Sequence, residues 1–153
     1  MNLQLLEAEL RRDEGVRYSV YLDGVGVPTV GVGHNCKVSP LPDGWVCPLT
    51  NGQVNQLLAR DIASTVAKLD KNLPWWRQMD DVRMRVLANM CFNLGIGGLL
   101  GFKNTLAAMQ RGSYAVAAAG MTSSKWASQV GARAQRLAQA METGVMPIAA
   151  AIA

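Results

Sequence analysis

Between Asp13 and His34 the chain reads DEGVRYSVYLDGVGVPTVGVGH, which places two carboxylates and a hydroxyl, Glu14, Asp23 and Thr29, around a short glycine-rich turn. Cutting a glycosidic bond needs one carboxylic acid to protonate the leaving oxygen. It also needs a second carboxylate to stabilise an oxocarbenium-like transition state, activate water or attack directly. Glu14 and Asp23 can divide those roles, and Thr29 can orient a water.

The elements around these residues follow from pattern. Leu3, Leu6 and Leu10 recur at helical spacing and Gly15 is a stop signal, so Glu14 is expected at a helix end. A carboxyl partly buried there favours its neutral, proton-donating form. In YSVYLD, strand alternation sets Tyr18, Val20 and Leu22 on one face and Ser19, Tyr21 and Asp23 on the other, and Asp23-Gly24 opens a turn. Beyond it Thr29, Gly31 and Gly33 share a face, where the glycines leave room for a close ligand or backbone. The alternative is plain: a solvated helix-end carboxylate, an Asx turn and an ordinary strand threonine.

The spacing of Glu14-Gly15, Asp23 and Thr29, running into Val30-Gly31-Val32-Gly33-His34, resembles the catalytic motif of the phage-type lysozymes, the T-even-like muramidases of glycoside hydrolase family 24. The resemblance continues through Asn89-Met90-Cys91-Phe92-Asn93-Leu94-Gly95, Gly101 to Leu106, Ser124-Lys125-Trp126 and Arg133-Ala134-Gln135-Arg136, covering nearly the whole chain. It implies an α+β, predominantly helical fold, with a small antiparallel sheet lobe and a helical lobe about a cleft. It also implies hydrolysis of the β-1,4 bond between N-acetylmuramic acid and N-acetylglucosamine in peptidoglycan, usually with inversion. By the same resemblance Glu14 is the general acid, Asp23 positions or activates water and stabilises positive charge, and Thr29 helps hold the water. Gly33, Phe102 and Asn104 are then substrate-side residues, although Phe102 and Asn104 also fit as helix-start residues. His34 would pair with Asp61, which occupies the position of an Asp on the following helix in similar proteins. Residues 35 to 49 depart from the T-even pattern in carrying two cysteines and prolines, so substrate preference can differ.

At 153 residues and 50% hydrophobic, the chain is long enough for one folding domain with a substantial core. The expected division is a β lobe over about 15–50, a linking helix over about 50–71 and a helical lobe over about 72–145 that includes the N-terminal helix. Thr50-Asn51-Gly52-Gln53 reads as a capping box, opening a helix with Val54, Leu57, Leu58 and Ile62 toward a core. Asp80 or Asp81 starts an apolar helix through Val82, Val86, Leu87, Met90 and Cys91 that ends before Gly95. Gly97-Gly98 is expected to make a connection, Ser113 to cap an Ala-rich helix, and Gly131 to Met141 to form the last one.

The formal charge of +4 is uneven: residues 82–153 carry seven bases and Glu142 as their one acid. Such a region attracts polyanions, including peptidoglycan carboxylates, while no helix-turn-helix, RNP or zinc signature supports nucleic acid. Cys36 and Cys47 flank a Pro- and Gly-containing loop, and a disulfide between them suits a protein working outside the cytoplasm. Cys91 reads as a core thiol, and the scattered cysteines and lone histidine lack zinc spacing, so neither metal nor cofactor is expected. Trp75 and Trp76 either line a sugar site or wedge a helix junction.

The N-terminus lacks an apolar signal region, and the tail GVMPIAAAIA is too short to span a bilayer. The expectation is a monomer made in the host bacterial cytoplasm, acting on the periplasmic cell wall after release by a separate holin-type pore protein. A virion-borne position, a lytic transglycosylase, and a cationic membrane-active helix bearing Arg133 and Arg136 beside Leu137 and Met141 are the competing readings.

Overall fold

The computed structural model describes residues 1–147; residues 148–153, most of the apolar tail, lie outside the described residues. The class is the expected one, with seven α-helices and one three-stranded antiparallel sheet among the described residues. The chain forms two compact units, Leu3–Val66 and a second made of Met1–Asn2 with the chain from Ala67 onward.

The first unit starts with α1 (Leu3–Glu14), stopped by Gly15 at φ +75°, whose N–H reaches Arg11 O at 3.0 Å. Its buried face is Leu6, Glu9 and Leu10, whereas Leu3 is 53% exposed, so the buried stripe is offset from the expected one. α1 belongs with the sheet rather than with the helical lobe, tied by an Arg11 Nη2 hydrogen bond to Asn55 Oδ1 at 2.8 Å on the helix that follows the sheet.

Strands β1 (Arg17–Leu22), β2 (Pro28–Gly31) and β3 (His34–Asn35) form a meander in that order. Arg17 pairs with Gly31, and Tyr21 with Thr29. Three residues between these pairs on β1 therefore face one, Val30, on β2, and Tyr18 to Val20 bulge from the ladder. Simple alternation along YSVYLD is interrupted there. Thr29 to Val32 are buried without a break, which fits a short central strand covered on both sides.

Helix α2 (Asn51–Asn72) opens with a reciprocal capping box: Gln53 N–H donates to Thr50 Oγ1 at 3.1 Å and Thr50 N–H to Gln53 Oε1 at 2.9 Å. Val54, Leu57, Leu58 and Ile62 are all buried. The boundary between the two units falls inside this helix, after Val66.

In the second unit a short 3-10 helix, Pro74–Gln78, turns the chain. Trp76 is fully buried there and donates Nε1–H to Asp70 Oδ1 at 2.7 Å, so it serves the junction, while Trp75 is half-buried. Helix α3 (Asp81–Leu100), capped by Asp80, buries every residue from Arg85 to Cys91, as a helix enclosed all round must. Gly95 breaks it at φ +74° and ψ +161°, but the chain re-enters helix at once. Gly97 and Gly98 are therefore helical rather than a connection.

Four helices complete this unit: α4 (Lys103–Gln110), α5 (Tyr114–Thr122), α6 (Lys125–Val130) and α7 (Ala132–Thr143). Ser113 stands at the N-cap of α5 without capping it, because its hydroxyl accepts from Arg111 Nε at 3.1 Å. Ser124 does cap α6, accepting from Ala127 N–H at 3.2 Å. On α7, Leu137 and Met141 are buried and Arg133 is held by Asn89 Oδ1 through Nε at 3.0 Å and Nη2 at 2.8 Å. That arrangement removes the membrane-active stripe: the apolar face is core, and one of its two arginines is buried with it. No single described helix is long and apolar enough to cross a membrane.

Candidate active site

Glu14, Asp23, Thr29 and Gly33 all fall in the sheet-bearing unit. Glu14 closes α1, half-buried, with its side chain against the backbone of Gly33. Gly33 has φ +63°, and a Cβ there would lie 2.8 Å from both Cδ and Oε1 of Glu14. The room expected beside this glycine is taken up by the carboxyl.

Asp23 organises its own turn. Its Oδ1 accepts from Val25 N–H at 2.9 Å and Val27 N–H at 2.8 Å, and its backbone exchanges bonds with Val27 O and Gly26 N–H at 3.0 Å each. The Asx reading and the catalytic reading are thus compatible, since both loop bonds fall on the same carboxylate oxygen, Oδ1. Thr29 is buried on β2 and donates Oγ1–H to Val27 O at 2.9 Å, which orients the hydroxyl lone pairs.

Tyr21 is the residue that sequence reasoning passed over. It is directly across from Thr29, it is the one half-buried residue of β1, and the Arg17 guanidinium carbon sits 4.7 Å from its ring centroid. Burial first, and then the negative charge of Glu14, push its phenol above the ordinary value; Asp23 acts the same way and Arg17 opposes. Tyr21 therefore senses both carboxylates. The signal was available, because alternation places Tyr21 and Asp23 on one strand face.

Behind β3, the buried His34 has Nδ1 2.7 Å from Asp61 Oδ2 and Nε2 2.7 Å from Ser39 O. Both partners are acceptors, so both contacts are satisfied only when the ring is an imidazolium. The hydrogen bond that His34 donates to Asp61 raises the histidine's pKa, against the opposing effect of burial. Asn35 Oδ1 caps the following loop by accepting from Lys37 N–H at 2.9 Å and Val38 N–H at 3.0 Å. Cys36 and Cys47 on this loop are free thiols, with Cys36 Sγ 3.9 Å from His34 O.

Phe102 and Asn104 fall in the second unit. Phe102 is the N-cap residue of α4 and packs edge-on to Trp126 with ring centroids 6.2 Å apart, while Asn104 is exposed in the first helical turn. Trp126 donates Nε1–H to Asn93 Oδ1 at 2.7 Å.

A carboxyl at the end of a helix, a turn-held aspartate and an oriented threonine beside a small sheet are the group types that glycoside cleavage uses as acid, charge stabiliser and water holder. The family model for phage lysozyme matches residues 11–142, and the chain belongs to that family, a family of glycosidases. Among its relatives, "Pre-baseplate central spike protein Gp5" of Enterobacteria phage T4 is 31% identical over 94% of this chain. The chain spans 28% of the length of that spike protein. "Probable T4-type lysozyme 1" of Dictyostelium discoideum is 26% identical, covering 90% of this chain and 93% of the relative. "Probable T4-type lysozyme 2" of the same organism is 23% identical over 92% and 95% respectively.

Proposed function

We propose that the chain hydrolyses the β-1,4 bond between N-acetylmuramic acid and N-acetylglucosamine in peptidoglycan. Glu14 protonates the departing glycosidic oxygen, Asp23 stabilises the developing positive charge and positions water, and Thr29 holds that water. The observation that carries this reading is the lodging of the Glu14 carboxyl against Gly33, in the unit that also holds Asp23 on its turn and Thr29 on β2. Family membership and the T4-type lysozyme relatives support the substrate.

The test is digestion of purified peptidoglycan, borohydride reduction and mass spectrometry of the fragments. Muramitol ends are expected. Glucosaminitol ends would move the cut to the other glycosidic bond, and anhydromuramic ends would make the protein a lytic transglycosylase.

For the setting, we infer a monomeric endolysin made in the bacterial cytoplasm and admitted to the periplasmic wall by a pore-forming partner. The similarity to a phage spike protein favours a second setting, in which the domain rides on the virion and opens the wall during infection. Peptides of this chain in purified virions would establish the second setting; their absence, with lysis delayed when the pore protein is deleted, would establish the first.

A further inference from the structure

Two glycines near the sheet end share one backbone conformation but differ in surroundings. Gly31 has φ +66° and Gly33 φ +63°, so replacing either imposes a similar strain on an L side chain. A Cβ on Gly31 would meet Leu57 Cδ1 and Val54 Cγ1 at 3.8 Å, an ordinary contact. A Cβ on Gly33 would meet Glu14 Cδ and Oε1 at 2.8 Å and Cγ at 3.0 Å. Those approaches are too close to persist, and the glutamate, being the flexible partner, must give way.

We propose that Gly33 is a positioning residue for the reaction: by lacking a Cβ it opens the seat that the Glu14 carboxyl occupies. This rests on the reading of Glu14 as the acid. Glu14 is half-buried at the last residue of α1, so its Cα is fixed by the helix and any displacement falls on its side chain. A methyl group at residue 33 displaces the carboxyl by about the overlap it would otherwise suffer, on the order of 1 Å, and a misplacement of that size costs about 10²-fold in rate.

Gly31→Ala supplies the matched control. Wild type, Gly31→Ala, Gly33→Ala and Glu14→Gln are compared in thermal midpoint and in kcat and KM on soluble peptidoglycan fragments. Both alanine variants are expected to lose similar stability, while Gly33→Ala alone loses about 10²-fold in kcat with KM little changed. If Gly33→Ala keeps the kcat of Gly31→Ala, the proposal is wrong. Should Gly33→Ala not fold, Gly33→Ala in a Glu14→Ala background empties the contested space and is expected to fold; failure there also overturns it. Full activity in Glu14→Gln would sink the proposed function itself, an outcome distinct from equal behaviour of the two alanine variants.

Discussion

His34 Nδ1 stands 2.7 Å from Asp61 Oδ2, and the buried ring is held from its other side by the Ser39 carbonyl at 2.7 Å. The pair joins β3 to α2 within one unit and anchors the loop that follows the strand. A proton-coupled stability follows. The folded pKa is raised above 6.5 by the bond to Asp61, so the contribution is fully present below the unfolded value and is lost as pH rises through the folded one. Asp61→Asn is expected to cost about 1.5–3 kcal/mol at about pH 5 and less at about pH 9, measured by urea unfolding. Proton NMR of the single histidine should give a midpoint above 6.5 in the wild type. An unshifted midpoint contradicts the pairing.

The three thiols differ enough to be told apart by alkylation. Cys47 is exposed, Cys36 is half-buried with its pKa raised by burial and then by Cys47, and Cys91 is pushed up to about 11 by burial within α3. Thiolates are the reacting species, so iodoacetamide near neutral pH should modify Cys47 first, Cys36 more slowly and Cys91 only after unfolding. Peptide mapping over a time course checks the order, and early modification of Cys91 in folded protein would contradict it.

Thr50 and Gln53 cap α2 reciprocally at 3.1 and 2.9 Å. Thr50→Ala should lower stability by about 1 kcal/mol. Combining it with Gln53→Ala should cost less than the two changes taken separately, since each removes part of the same box. Strict additivity in chemical unfolding would show that the box is not formed in solution.

Asn89 is fully buried and accepts two hydrogen bonds from the buried Arg133. Asn89→Ala removes that acceptor inside the core and should cost about 1–3 kcal/mol in urea unfolding. A change within error would mean that Arg133 finds its satisfaction elsewhere.

What was legible in the sequence was local. The Thr50 capping box, the Gly15 stop, the start of α3 at Asp80 or Asp81 and the Asp23-Gly24 turn each depend on residues within a few positions of one another, and each is present. Readings that needed depth or three-dimensional proximity went differently. Leu3 fits the helical period yet is exposed, because period does not say which side of α1 is covered. Gly97 and Gly98 look like a connection, but the break is taken by Gly95 alone and helix resumes. Arg133 looks like a surface cation until Asn89, 44 positions earlier, is brought beside it. At the candidate site the family resemblance singled out Glu14, Asp23 and Thr29 as a set, and the structure places all three in the sheet-bearing unit. The steric seat under Glu14 depends on a positive φ at Gly33 and on a helix end meeting a strand end, neither of which spacing encodes.

The most direct test of acid-assisted hydrolysis is digestion of peptidoglycan in ¹⁸O-water by wild type and Glu14→Gln side by side. One ¹⁸O at the muramic reducing end of wild-type products, with no such products from Glu14→Gln, is the predicted result. Labelled muramic ends in equal yield from Glu14→Gln would contradict Glu14 as the acid, and unlabelled anhydro ends from the wild type would contradict hydrolysis.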